Sequence, residues 1–174
     1  KKHIPSLDAI CTRHGNPGDT GDGILLGIAA GGHAINMGEA FLGVAHYPPS
    51  KLTYGIFINE AGQRFINEDI YLGRLGHYIA AQPSDKVYMF IDNKHFDRPA
   101  YINVEIVAVG ETVEEVESEV GFVPGALQHT VETYNRFAAG GHDPLFHKAA
   151  EWVEPFDTAP FALISYKLSD IRPP

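Results

Sequence analysis

Apolar positions along this chain fall into successive patterns, and each change of pattern marks an element. Residues 15–23 are too rich in Gly for a regular element, and the chain turns apolar over residues 24–34, which predicts a loop entering a helix. Gly31-Gly32 weakens or ends that helix, because Gly costs about 1 kcal/mol relative to Ala in a helix interior. Residues 54–59 are β-rich, Glu60, Ala61 and Gly62 make a turn, and residues 63–66 resume extended chain, so a hairpin is predicted. Leu72, Leu75, Ile79 and Ala80 recur at helical spacing within residues 70–82, and Pro83 closes that short helix.

Residues 87–91 are a continuous apolar run between Lys86 and Asp92, as a buried strand requires, and residues 104–109 are a second candidate. From Thr112 the period becomes helical: Thr112 and Glu115 form a capping box, Val113, Val116 and Val120 share a face, and Gly121 ends it. Pro124 suits the first turn of another helix that carries Leu127, Val131, Tyr134 and Ala138 inward and stops at Gly140-Gly141. Pro144, Pro155 and Pro160 break the last stretch into loops and short extended pieces. Strands with helices segregated between them argue an α+β fold, not a doubly wound sheet.

Composition narrows what such a fold does. With 44% hydrophobic and 20% charged residues over 174 positions, the chain buries a real core. A net charge of −9, and no basic run beyond Lys1-Lys2, argue against nucleic acid, whose phosphates demand clustered Lys and Arg. The single cysteine, Cys11, excludes an internal disulfide and every CxxC motif, so a reducing, cytoplasmic setting is expected. The longest apolar run, residues 24–30, falls far short of the roughly 20 residues that span a bilayer, so no membrane span is predicted. The start lacks an initiator Met and the apolar core of a signal peptide, and the chain is expected to begin partway through a longer polypeptide.

The loop 18–23, followed directly by a helix, aims unpaired backbone N–H groups and the positive end of the helix dipole at any polar group that approaches. It is neither a Walker loop nor the dinucleotide fingerprint, and its acidic residues repel phosphate; taken alone it is an Asp-capped turn. Tyr71 taken alone is a half-buried aromatic, Glu68 and Asp69 are solvated turn carboxylates, and Arg64 is a surface strand residue that snorkels. His142, Asp143 and His147 lack a ligand register and are loop residues, so no metal is predicted.

Three segments in order change this picture: Thr20-Gly21-Asp22-Gly23 opening a helix, residues 55–69 ending in Phe65-Ile66-Asn67-Glu68-Asp69, and residues 130–148. Together they resemble the FAD-dependent flavoprotein family that contains soluble fumarate reductases, succinate dehydrogenase flavoprotein subunits and 3-ketosteroid dehydrogenases. The resemblance covers residues from about 15 to 161. It implies a cap domain of the fumarate reductase flavoprotein type over residues 47–160, flanked by a partial FAD-binding segment, 1–46, and a return to that domain at 161–174. It implies FAD as cofactor, with Asp22, Gly21 and Gly23 contacting it. The family also carries a Gly-rich βαβ unit and a segment lining the isoalloxazine ring, which are missing here, so the chain alone is expected to retain little FAD and to be inactive.

Within this family the hairpin region decides the substrate. Where fumarate reductases carry an Arg proton donor this chain has Leu72, and residues 47–75 hold only Lys51, Arg64 and Arg74 as anchors for a dicarboxylate. The stretch around Tyr71 is closest to the 3-ketosteroid dehydrogenases, which implies Tyr71 as an active-site residue and a small apolar ketone or steroid as substrate. The alternatives are a fumarate or other enoate reductase, or a stand-alone binding module without redox chemistry. A steroid site expects Leu72 and Leu75 beside Tyr71, and Arg74 pointing away or paired with Glu68 or Asp69. Without the remainder of the flavoprotein, Ile24, Leu25, Ile28 and Phe161 are expected to be exposed, or covered by self-association.

Overall fold

The computed structural model describes residues 3, 16–38, 40–42, 50–84, 86–98 and 105–166. Cys11 lies outside them. Among the described residues the helices are α1 (Asp22–Ala29), α2 (Leu72–Ala80), α3 (Val113–Val120) and α4 (Ala126–Ala138). The strands are β1 (Ile56–Asn59), β2 (Val87–Asp92), β3 (Glu105–Gly110) and β4 (Phe161–Ser165). They form one sheet of order β1-β2-β4-β3 in which every neighbouring pair is antiparallel. The fold is α+β, as the segregation of strand and helix patterns predicts.

Both faces of the sheet are covered, and this explains the unbroken apolar run of β2, all six residues of which are buried. Val87, Met89 and Ile91 join Phe57, Ala162 and Ile164 on one face, beneath Leu75 and Ile79 of α2. Tyr88 and Phe90 point the other way, into a core with Ile56, Ile58, Leu163, Val116 of α3 and Leu127, Val131, Tyr134 and Ala138 of α4. The period of two along each strand thus feeds two separate cores.

The helix patterns hold in detail. The four inward residues predicted for α4 are its four buried ones. Pro124 lies outside the first turn, since Gly125 takes the N-cap position with φ 86°. In α3 the Thr112 side chain accepts the Glu115 N–H at 3.2 Å, half of the predicted box, while Glu115 Oε2 reaches back to the Glu111 N–H at 2.8 Å instead of to Thr112.

Elsewhere the pairing differs from the local pattern. The segment 63–66 contributes a single bridge, Ile58 to Arg64, and β1 takes β2 as its partner, so the hairpin is only a closed turn. Phe161–Ser165 is a strand held between β2 and β3, so the sheet extends past the boundary expected at residue 160. Phe161, expected to be exposed, is half-buried and stacks on Phe90 at 5.7 Å. α1 is shorter than the apolar run that announces it and buries none of its residues. Among the described residues no helix is long and apolar enough to cross a membrane.

Candidate active site

Tyr71 occupies the N-cap of α2, with an extended backbone (φ −54°, ψ 130°) and a side chain that caps nothing. Its carbonyl accepts the N–H groups of Arg74 (2.8 Å) and Leu75 (3.1 Å), so the helix starts from it while its ring stays 68% exposed. Phe41 lies beside that ring, centroids 6.0 Å apart and tilted by 60°. Residues 40–42 reach this position because α2 presents glycines three apart. A Cβ on Gly73 would meet Phe41 Cε2 at 2.6 Å and one on Gly76 would meet the Leu42 carbonyl oxygen at 1.8 Å, and His77 Nε2 bonds the Ala40 carbonyl at 2.8 Å. Only glycine permits so close an approach.

Of the apolar neighbours expected next to Tyr71, Leu72 is half-buried, whereas Leu75 is fully buried in the core beneath the sheet. The helix period turns Leu75 inward and leaves its place beside the tyrosine to Phe41. Arg74 is exposed and is not taken up by Glu68 or Asp69, whose oxygens have other partners.

Those partners form a buried charge cluster just before Tyr71, which local sequence does not announce. Glu68 is not a solvated turn carboxylate but a fully buried one. Its Oε1 accepts the Phe57 N–H at 2.9 Å and Arg64 Nε at 3.0 Å. Its Oε2 accepts Arg64 Nη2 at 2.8 Å and Lys148 Nζ at 3.1 Å. Arg64, far from snorkelling at the surface, has a side chain only 5% exposed and also binds Asp143 Oδ2 at 2.8 Å, lying over the rings of Phe146 and Tyr134. Lys148 Nζ finishes its bonds on the carbonyls of Tyr54 and Gly55. The i,i+4 spacing of Arg64 and Glu68 gives no contact in extended chain; the bend at Ile66 between them is what folds one onto the other.

Burial pushes the Glu68 carboxyl up, but Lys148, Arg64 and the Phe57 N–H together outweigh it and hold the group below the usual carboxylate range. Burial likewise raises Asp143, and its bonds to Arg64 and to the N–H groups of Lys148 and Phe146 reverse the shift. Desolvation lowers Lys148, opposed by Glu68. A cavity of about 380 Å³ opens beside Arg64 and Asp143, between Thr133, Phe137 and Leu145, and Tyr71 is not in its wall. Asp143 is therefore an ion-pair partner, and among the described residues no group of three His, Cys, Asp or Glu is arranged to hold a metal.

The loop before α1 is open. Gly21 takes the N-cap with φ 88°, a conformation that favours glycine, and beyond the adjoining residues and the helix's own backbone no atom lies within 4 Å of where a Cβ on Gly21 or Gly23 would stand. Asp22 is exposed and accepts the Thr20 hydroxyl at 2.8 Å through one oxygen. This donor set combines free N–H groups at a helix start with a carboxylate. It suits a hydroxyl-bearing stretch of a bound molecule, since the carboxylate accepts a hydroxyl and repels a phosphate.

A family model described as an FAD binding domain matches residues 8–169. Among solved structures, the 3-ketosteroid-delta4-(5alpha)-dehydrogenase of Rhodococcus jostii RHA1, in complex with 4-androstene-3,17-dione, is 34% identical with a TM-score of 0.77, over 98% of this chain and 36% of that one. The NADH:fumarate oxidoreductase of Klebsiella pneumoniae is 28% identical over 177 residues, 94% of this chain and 19% of the relative. A probable fumarate reductase, Ifc3, of Shewanella frigidimarina is 29% identical over 98 residues, 54% of this chain and 17% of the relative. The chain spans well under half the length of each of them.

Proposed function

The chain belongs to the FAD binding domain family, and on that premise we propose that it forms the substrate cap of an FAD-dependent oxidoreductase that dehydrogenates a 3-ketosteroid-like compound. FAD, when bound, accepts the hydride that leaves the substrate carbon. The Tyr71 hydroxyl moves the proton that leaves the neighbouring carbon, made acidic by the ketone. Asp22 accepts a cofactor hydroxyl, and Gly21 and Gly23 let the cofactor approach the start of α1. In this reading residues 1–46 belong to the FAD-binding domain and residues 47–160 to the cap, with β4 completing the sheet. The lone cysteine suits a reducing, cytoplasmic compartment.

The observation that carries this reading is the placing of Tyr71: a solvent-facing phenol at the tip of a helix, with the ring of Phe41 beside it. A flat apolar substrate fits such an edge. Arg64 is unsuited to anchoring a dicarboxylate, because Glu68 and Asp143 already occupy its guanidinium. The likeness to the Rhodococcus steroid dehydrogenase over nearly the whole chain supports the same choice. A second reading, reduction of fumarate or another enoate, draws on the exposed Arg74 one turn beyond Tyr71 and on the reductases among the relatives.

Tyr71→Phe in the full-length flavoprotein separates the two. It keeps the ring and is expected to lower steroid turnover by roughly 10²-fold, the range for removal of one acid–base group, with folding unchanged. Arg74→Ala is expected to leave steroid turnover intact. Full steroid activity in Tyr71→Phe, or fumarate reduction that disappears in Arg74→Ala, would replace the first reading with the second.

A further inference from the structure

Building on the reading of Tyr71 as the proton-handling group, we propose that Asp69 and Glu68 are positioning residues: a clamp that sets Tyr71 against the substrate, with residues 143–149 as its fixed side. Asp69, two residues before Tyr71, accepts the Ala149 N–H through Oδ2 at 2.9 Å and the Asn67 side-chain amide through Oδ1 at 3.0 Å. Glu68, one residue earlier, is tied to β1 through the Phe57 N–H and to Lys148. The receiving loop is itself organised by Asp143, which accepts the N–H groups of Phe146 (3.4 Å) and Lys148 (3.3 Å) while binding Arg64. Two consecutive carboxylates therefore restrain the backbone that ends in the N-cap of α2. On the other side of the tyrosine, Phe41 and the Ala40 carbonyl hold residues 40–42 on α2.

Stability alone does not account for this construction. Buried ion pairs are weak contributors to stability, and apolar side chains of similar volume often hold a core as well or better. What charge-assisted hydrogen bonds supply beyond apolar packing is direction. Here their direction fixes where one segment ends and one exposed hydroxyl begins. A reacting group must be held to within a fraction of an ångström, and apolar packing of Ile70 on the core holds this turn without giving it that direction.

Asp69 is the residue to test, being half-buried and outside the fully buried cluster, so its loss spares the fold. In the full-length flavoprotein, Asp69→Ala is expected to lower kcat for the steroid by about tenfold to a hundredfold, with KM within roughly twofold, as a misplaced but intact group does. Asp69→Asn retains an acceptor for the Ala149 N–H and is expected to recover most of the rate. In a Tyr71→Phe background, Asp69→Ala is expected to add no further loss, because the clamp acts only through the hydroxyl it positions. The clamp is overturned by equal losses in both backgrounds, or by an unimpaired Asp69→Ala where Tyr71→Phe is slow. A fully active Tyr71→Phe overturns the assignment of Tyr71 itself and the clamp with it, so that single variant tells the two failures apart.

Discussion

The sheet with α2, α3 and α4 and the segment carrying α1 both hold many large apolar residues, yet these meet opposite fates. Within the sheet region nearly every large apolar residue finds a partner in its own chain, in one of two cores. In α1, Ile24, Leu25, Leu26 and Ile28 all stay exposed, and the helix buries no residue. A helix that is apolar all round is stable in water only when something covers it. The sheet region thus closes on itself, while α1, in the proposed reading, presents the surface on which an FAD-binding domain would lie. The candidate site falls on the border between them, where residues 40–42 lie along α2.

The contrast is tested most strongly inside the core. Leu127 is fully buried between α4 and the sheet, so Leu127→Ala is expected to cost about 2–5 kcal/mol, transfer and cavity terms together, read as a lowered urea midpoint. A cost below 1 kcal/mol would mean that this core is not closed.

A smaller effect is expected at Glu117, which joins two helices of the same core. Gly125 gives α4 no capping side chain, and Glu117 of α3 replaces it: Oε2 accepts the Gly125 N–H at 2.8 Å and Oε1 the Leu127 N–H at 2.7 Å. Burial pushes this carboxyl up, but those bonds and the Gln128 amide bring it below the usual range. Glu68 and Asp143 are lowered in the same way. A depressed folded pKa contributes stability that is complete above the unfolded value and is lost as pH falls through the folded one. The fold should therefore hold its stability down to about pH 4, the ordinary carboxylate value, and lose it steadily below. Glu117→Ala is expected to cost about 1.5–3 kcal/mol at neutral pH and to flatten part of the acid slope. An unchanged slope would assign the acid loss to the other lowered carboxyls, Glu68, Asp143 and Glu154.

How much of this is legible in sequence depends on how local the cause is. The faces of α3 and α4 follow from a period of 3.6, and the stop at Gly121 from a single residue, so both are predicted correctly. β4 is legible only as a short extended piece, because residues 161–165 follow Pro160 in a proline-broken stretch, and pairing with β2 and β3 is what makes them a central strand. The same holds for the charge cluster: Lys148 lies 80 positions from Glu68, and nothing in either neighbourhood announces the other. The position of Tyr71 near a helix start is readable from the helical spacing of Leu72, Leu75, Ile79 and Ala80. Its exposure and its contact with Phe41 depend on a backbone approach at Gly73 and Gly76 that no periodicity encodes.

The smallest expected effect completes the comparison from the other side. Leu26 is 71% exposed, so Leu26→Ser removes no packing that the chain itself supplies, and its stability cost should stay within about 0.5 kcal/mol, as for surface substitutions generally. The same change should be visible in association. If copies of the chain cover their α1 helices with one another, the wild type gains apparent stability with concentration by mass action, and its scattering mass rises. Leu26→Ser should weaken both trends while leaving the dilute midpoint where it was. Unfolding curves at two concentrations, with light scattering on the same samples, separate these contributions. A loss of more than 2 kcal/mol in dilute solution would mean that α1 is held by its own chain, and the contrast between a closed sheet region and an open helix would have to be redrawn.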